Sequence, residues 1–300
     1  MEAYHIPVLL EESISALEIK EDGTYIDATF GGGGHSREIL RRLGKRGRLI
    51  SFDRDADAIA NAPEDERHIL VHNNFRFVRN FVEYLGIGEV DGILADLGVS
   101  SHQFDTSERG FSFRFDTELD MRMNRATSIS AKEIVNNRTA EELAGIFSLY
   151  GEVQKSRAAA KMICDARAKS PIRSTAELNA ALSRLYNPNT EHKFLAQIYQ
   201  ALRIEVNAEM RALEDFLMGC GPILKSGGRL SIITYHSLED RMVKNYMKSG
   251  NTSGNVEKDL YGNNLSCYKI ITGKPILPTE EEISGNTRSR SAKLRVAQKR

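Results

Sequence analysis

Apolar residues along the first hundred positions fall into two alternating rhythms. Short unbroken runs, Tyr25-Ile26, Leu49-Ile50, Ile69-Leu70-Val71 and Ile93-Leu94-Ala95, have the length and composition of strands buried on both faces. Between them apolar residues return every three or four positions: Ile14 and Leu17, then Ile39, Leu40 and Leu43, then Phe75, Val78, Phe81, Val82 and Leu85. That spacing predicts helices with one apolar face each. The pattern places strands at 24–26, reaching Asp27, at 48–52, stopping at Asp53, at 68–72, and at 90–95, ending at Asp96. It places helices at 11–18, directly after Gly31-Gly32-Gly33-Gly34, and at 55–62, where Pro63 ends the last. Strand alternating with helix is the signature of a parallel sheet covered by helices.

The rhythm breaks at about Phe104, and no clean period runs to Arg125. From 130 to about 190 the pattern is helical only, with capping boxes at Ser130/Glu133, Thr139/Glu142 and Ser174/Glu177. Residues 105–195 therefore read as an all-helical subdomain inserted into an α/β domain made of 1–104 and 196–300. An apolar stripe from Phe194 to Leu217 predicts one long helix returning to the sheet. A fifth strand is expected at 229–235, followed by a helix to Met247 capped by Ser237. Two later strands are expected at 268–272 and 293–298. Between them, 274–287 holds two prolines and Glu280-Glu281-Glu282 and reads as a loop.

Composition changes little: the 300 residues are 41% hydrophobic and 27% charged, ordinary for a globular chain with ample core. The formal net charge is zero, yet Arg288, Arg290, Lys293, Arg295, Lys299 and Arg300 crowd the last thirteen positions without an acid. That run is the best candidate for phosphate contact. Cys164, Cys220 and Cys267 are scattered and form no C-x-x-C, so neither disulfides nor a zinc site is expected. The start of the chain, with Glu2, Glu11 and Glu12 around the short apolar run Ile6 to Leu10, is neither signal peptide nor membrane span. A cytoplasmic protein is expected. The long helical stripes leave room for a homodimer.

Candidate chemistry lies where the strands end. Ligands of an open parallel sheet sit outside the carboxyl ends of its strands, here a glycine loop, Asp53 and Asp96. Glycine permits positive φ and close backbone approach to a ligand. Asp53 follows Gly33 by twenty residues, the spacing at which an acid meets ribose hydroxyls; capping the next helix is its other reading. The dinucleotide fingerprint G-x-G-x-x-G counted from Gly31 fails at Ser36, which weakens a nicotinamide cofactor against S-adenosylmethionine.

A more specific likeness runs in order through nearly the whole chain. His5-Ile6-Pro7-Val8-Leu9-Leu10, Asp27 to Ser36, Phe52-Asp53-Arg54-Asp55, Asp91 to Ser101, Glu108 to Phe113, Leu119 to Met123, and Gly227 to Arg241 resemble the bacterial 16S ribosomal RNA (cytosine-N4)-methyltransferases, the type called RsmH or MraW. Gly32 and His102 depart from the common pattern at positions without an evident role. The resemblance implies a class I S-adenosylmethionine-dependent methyltransferase (Rossmann-like) sheet carrying the inserted helices. It implies methylation on N4 of a cytosine, cytosine 1402, in the decoding region of 16S RNA of the small ribosomal subunit. Carried over by position, the cofactor contacts would be Gly33, Gly34, His35, Asp53, Phe75, Asp96 and Gln103. Phe75 could pack on the adenine or belong to the core. Cytosine N4 is a poor nucleophile and needs a proton acceptor. Asp96 is the first candidate, although it could serve the cofactor alone, and His236 is the second, although it could be a helix cap. The target base must be unstacked; Phe111 and Phe113 could stack on it, with Arg109, Arg114 or Arg122 on phosphates, or these side chains could pack within the insert. A nicotinamide-dependent oxidoreductase and a catalytically silent assembly factor remain as alternatives.

Overall fold

A computed structural model of the chain describes residues 7–262 and 264–300. Glu2, His5 and Ile6, named above, lie outside the described residues. Two compact units form, one from residues 1–98 with 210–300 and one from 99–209.

The first unit is built on a seven-stranded sheet. Its strands are β1 (Thr24–Asp27), β2 (Arg48–Asp53), β3 (His68–His72), β4 (Val90–Asp96), β5 (Leu224–Thr234), β6 (Tyr268–Ile270) and β7 (Lys293–Lys299), in the order β3-β2-β1-β4-β5-β7-β6. The first five are parallel; β7 runs antiparallel between β5 and β6. The fold is thus the Rossmann-like α/β class expected. Strand order reverses at β1, which pairs with β2 on one side and β4 on the other, so a crevice opens at their carboxyl ends. Register brings Asp27 level with Ser51 and Leu94, and Asp96 level with Ile233. The central strands are apolar runs because both faces are covered: Ile26, Ile50, Ile93 and Ile232 join Phe216, Leu217 and Met247 on one side, while Tyr25, Leu49 and Leu94 join Ile14, Ile39 and Leu43 on the other.

The sheet's helices are α1 (Leu10–Ala16), α2 (Gly34–Arg42), α3 (Ala56–Ile59) and α4 (Val78–Tyr84), the last preceded by a 3-10 turn, Phe75–Phe77. In the second unit stand α5 (Ser101–Asp105), α6 (Ala131–Asn137), α7 (Ala140–Gly151), α8 (Ser156–Arg167), α9 (Thr175–Leu182) and α10 (Glu191–Asn207). The sheet unit resumes with α11 (Glu209–Ile223), α12 (Ser237–Ser249) and α13 (Glu280–Gly285). All three capping boxes read from the sequence form, on α6, α7 and α9. No helix among the described residues is long and apolar enough to cross a membrane.

Several expectations change. The stripe from Phe194 to Leu217 is two helices, broken at Ala208, whose backbone is left-handed (φ 48°). Each helix keeps its own apolar face, so the spacing runs through the break unmarked. The units consequently divide at 98/99 and 209/210 rather than at 104/105 and 195/196, because α10 packs on α7 within the helical unit. The segment 274–287 is not all loop: Thr279 Oγ1 accepts the Glu282 amide and starts α13, with the three glutamates in its first turn, where a helix N-terminus favours acids. Helix α12 is capped by His236, not Ser237. Helix α3 stops at Ile59, short of Pro63, and buries no side chain that could hold it longer.

Candidate functional site

The loop leaving β1 is shaped by its glycines. Gly31 (φ 51°) and Gly33 (φ 74°) take the left-handed backbone that side-chain-bearing residues resist, and Gly33 is the N-cap of α2. A Cβ on Gly33 would come within 2.7 Å of the Phe30 ring, whereas one on Gly31 would meet nothing nearer than 4.0 Å. Gly34 is glycine for a different reason: a Cβ there would lie 2.1 Å from Pro7 Cγ. Space for a ligand therefore opens beside Gly31.

Asp53 latches this loop. Its Oδ2 accepts the Gly31 amide at 2.8 Å and its Oδ1 the Asp55 amide at 2.8 Å. Each carboxylate oxygen keeps a further lone pair, so an oriented acceptor remains for a diol. Burial raises its pKa, and the two amides oppose the rise.

Asp96 ends β4 beside the same loop. Its amide donates to Thr29 Oγ1 at 2.6 Å, and its Oδ1 accepts the Tyr235 hydroxyl at 2.7 Å from the end of β5. Its Oδ2 faces His35 Nδ1 at 4.0 Å. The side chain keeps 19% of its surface exposed, enough to meet a reacting group. Confinement among protein atoms pushes its pKa up to about 7; the tyrosine opposes this, and the charges of Asp27, Glu239 and Glu282 add to it. His35 is buried, with Nε2 3.2 Å from the Val8 carbonyl.

Asp27, wholly buried at the end of β1, accepts the Thr29 amide at 3.1 Å on Oδ1, and its Oδ2 lies 2.6 Å from Ser36 Oγ. Thr29, Ser36 and Tyr235 are the site's residues that motif reading passed over. Thr29 and Ser36 carry only the weak signal of hydroxyls two and nine positions after a strand-end acid. Tyr235 stands directly after the fifth strand, a position as exposed to inference as Asp53 and Asp96 but without a charge to mark it.

Gly33, Gly34, His35, Asp53 and Asp96 are thus gathered around one loop. Phe75 opens the turn after β3, half-buried, with its ring edge-on to Phe216 at 5.2 Å. Gln103 belongs to the helical unit, where its Oε1 accepts the Ser100 amide at 3.2 Å and closes the capping box of α5. His236 takes the capping role: its Nδ1 accepts the Glu239 amide at 3.4 Å.

Most of the RNA-contact candidates are committed elsewhere. Phe111 is buried, Phe113 packs edge-on to Tyr199 at 5.5 Å, and Arg109 is buried with its guanidinium on the carbonyls of Arg122 and Met123. Arg122 pairs with Asp120, leaving Arg114 exposed. In the C-terminal basic run, Arg295 is buried in a two-pronged pair with Asp240 at 2.6 and 3.1 Å, and Lys299 donates to the Gly221 carbonyl at 2.7 Å. Arg288 and Arg290, on the turn Thr287–Ser291 ahead of β7, stay exposed, as does Arg300 after it.

The residues gathered at the loop suit a ligand with a diol and a positive charge. Asp53 offers lone pairs to hydroxyls, the space at Gly31 admits close backbone approach, and Asp96 supplies negative charge beside it. S-adenosylmethionine has both features; a pyrophosphate would bring its own negative charge to a rim that already holds the carboxyl groups of Asp53 and Asp96.

Known proteins agree. The model of the MraW methylase family matches residues 2–300. The ribosomal RNA small subunit methyltransferase H of Bacteroides fragilis is 56% identical over 99% of this chain and 98% of its own. That of Parabacteroides distasonis is 54% identical over 99% and 97%. Among solved structures, an rRNA methylase from Streptococcus thermophilus aligns over 99% of both chains at 12% identity and a TM-score of 0.41, too loose a likeness to bear on the chemistry.

Proposed function

The chain belongs to the MraW methylase family, and we propose that it transfers a methyl group from S-adenosylmethionine to the exocyclic N4 of a cytosine in small-subunit ribosomal RNA, cytosine 1402 of 16S RNA being the expected target. The observation that supports this best is the placement of Asp96 at the rim of the Gly31–Asp53 latch, with Oδ1 tethered by Tyr235, Oδ2 facing His35 at 4.0 Å, and the side chain partly exposed.

When bound, S-adenosylmethionine supplies an electrophilic methyl on a sulfonium, so leaving-group chemistry asks little of the protein. Asp53 would hold the ribose hydroxyls, the loop Gly33-Gly34-His35 the amino-acid end, and Phe75 the adenine; Gln103 is carried over with them from the family pattern. What remains for the chain is alignment and the proton. Tyr235 already donates to Asp96 Oδ1, which leaves that oxygen one lone pair, so Oδ2 is the better-placed atom to accept the amine's hydrogen. A carboxylate held near neutrality suits that transfer, because it is ionised in about half of molecules at pH 7 and is far more basic than a free aspartate. The helical unit would recognise the RNA.

Transfer of labelled methyl from S-adenosylmethionine to isolated small ribosomal subunits, followed by mapping of the modified nucleoside, tests the reading. N4-methylcytosine at the expected position is the predicted product, lost in Asp96→Asn. Label on a carbon or a ribose oxygen, or none at all, would overturn it. Titration calorimetry with S-adenosylmethionine and with NAD separates the oxidoreductase alternative.

A further inference from the structure

Strand β5 ends at Thr234, and one acid holds the two residues that follow. Glu239 Oε2, in the first turn of α12, accepts the Tyr235 amide at 2.9 Å and the His236 amide at 3.4 Å. Tyr235 carries the tether to Asp96, so His236 stands directly after the residue that fixes the proton acceptor. Register sets Asp96 level with Ile233 on the neighbouring strand, and the Glu239 charge is felt at Asp96. These side chains share the carboxyl ends of β4 and β5.

Two contacts assign the His236 tautomer. Nδ1 lies 3.4 Å from the Glu239 amide, a donor only, so it accepts and carries no hydrogen. Nε2 lies 3.2 Å from Glu239 Oε1. With the hydrogen on Nδ1 instead, two donors would meet at the amide and two lone pairs at the carboxylate. The hydrogen is therefore on Nε2. Glu239 does not take it up: the carboxylate stands beside the ring outside hydrogen-bond geometry, and Nε2 has no hydrogen-bond partner among the described residues. The side chain is only 8% exposed, and a buried donor is costly to leave unfilled. With Nδ1 committed as acceptor, Nε2 is also a poor metal ligand, since a ligating nitrogen needs its lone pair.

We infer that His236 Nε2–H is the donor that reads ring nitrogen N3 of the target base, beside the amine that Asp96 receives. Cytosine presents an amine hydrogen and, next to it on the same edge, N3 as a bare acceptor. Uracil presents a carbonyl oxygen and an N3–H there. An acceptor from Asp96 with a donor from His236 therefore matches cytosine at both atoms and opposes uracil at both. The inference rests on the cytosine-N4 reading above and adds the residue that chooses the base. Glu239 is then a positioning residue, acting through its neighbours by fixing the His236 tautomer and the backbone of the Tyr235 tether.

Two variants separate the two ring nitrogens. His236→Asn keeps an oxygen where Nδ1 accepts, and so keeps the cap, but ends short of Nε2. His236→Gln extends an amide N–H to the Nε2 position and gives up the cap. Small subunits are reconstituted with cytosine or 3-deazacytosine, which has C–H in place of N3, at the target position. Methyl transfer is followed in single turnovers at saturating S-adenosylmethionine. The intrinsic reactivities of the two bases are common to every enzyme and cancel when rate ratios are compared. The cytosine-to-analogue ratio should be about tenfold smaller in His236→Asn than in wild type. His236→Gln should keep the wild-type ratio within about threefold, yet unfold at lower denaturant. Equal ratios in wild type and His236→Asn, with cytosine still methylated, overturn the contact. Nitrogen NMR spectra of the histidine side chains in the full chain judge the donor separately. The His236 signals, assigned by their loss in whichever variant folds, should show hydrogen on Nε2 and a bare Nδ1; hydrogen on Nδ1 overturns the inference. If wild type methylates no cytosine N4, the reading above falls and takes the contact with it, while the spectra still judge the tautomer.

Discussion

Replacing Tyr235 with Phe removes one hydrogen bond and little else. The ring packs against Gly98, where a Cβ would come within 3.4 Å of Tyr235 Cδ2, and Phe keeps that packing. The lost bond, 2.7 Å to Asp96 Oδ1, is made to a charged acceptor, a class worth about 1.5–3 kcal/mol. At about 1.4 kcal/mol per pKa unit, that raises Asp96 by roughly one to two units. Starting from about 7, an upward move of one unit cuts the ionised fraction at pH 7 from about a half to about a tenth. Methyl transfer under single-turnover conditions should therefore fall about fivefold at pH 7 or more, and recover toward the wild-type rate as the pH passes about 9. The acid limb of the profile moves up while affinity for S-adenosylmethionine stays within about twofold. A loss equal at every pH would mean that the phenol serves only structure, and an unmoved acid limb would mean that Asp96 is not the titrating acceptor.

Asp53→Asn removes a charged acceptor and loosens the Gly31 latch, so affinity for S-adenosylmethionine should weaken about tenfold or more by calorimetry, with folding retained. Gly33→Ala forces a Cβ into the Phe30 ring at a φ of 74° and should cost about 1–2 kcal/mol in denaturant unfolding. Asp27→Asn should flatten the pH dependence of stability. The folded acid, at about 7, lies above its ordinary 3.8, so its contribution is full below about pH 4 and is lost as pH rises through about 7. That loss is of the order of 4 kcal/mol, and chemical denaturation series between those pH values for wild type and variant measure it.

The strand ends were open to reading because each closes a short apolar run, and a run buried on both faces stands out from its flanks. Elsewhere the chain concealed its structure for definite physical reasons. Three consecutive glutamates after two prolines look like solvated loop, yet acids are what a helix N-terminus favours, and Thr279 begins one there. The break at Ala208 leaves no trace in the apolar spacing. It is written instead in Asn207, whose carboxamide bonds the Met121 carbonyl and the Met123 amide at 2.8 Å each. The C-terminal basic run counts as charge in the sequence, but Asp240, some fifty residues earlier, neutralises its centre. Charge tallies see residues one at a time; pairing is a property of the fold.

The same limit explains why three aspartates with one sequence signature, an acid closing a parallel strand, end in three different states. Asp53 receives two backbone amides and becomes a fixed acceptor. Asp96 receives one phenol and keeps partial access to solvent, which suits an acid that must gain and lose a proton. Asp27 receives no access at all, and its neighbours are serines that can return a hydrogen as readily as give one. Three carboxylates within electrostatic reach cannot all ionise cheaply. The deepest is therefore the one to stay neutral, and its neutrality lowers the cost of charge on the other two. On this account Asp27 is part of what lets Asp96 ionise near pH 7. Asp27 itself takes on charge as pH rises past about 7, so Asp27→Asn, which removes that charge, should lower rather than raise the midpoint of the acid limb for methyl transfer; an upward move would show that Asp27 supports Asp96 by geometry instead of by charge.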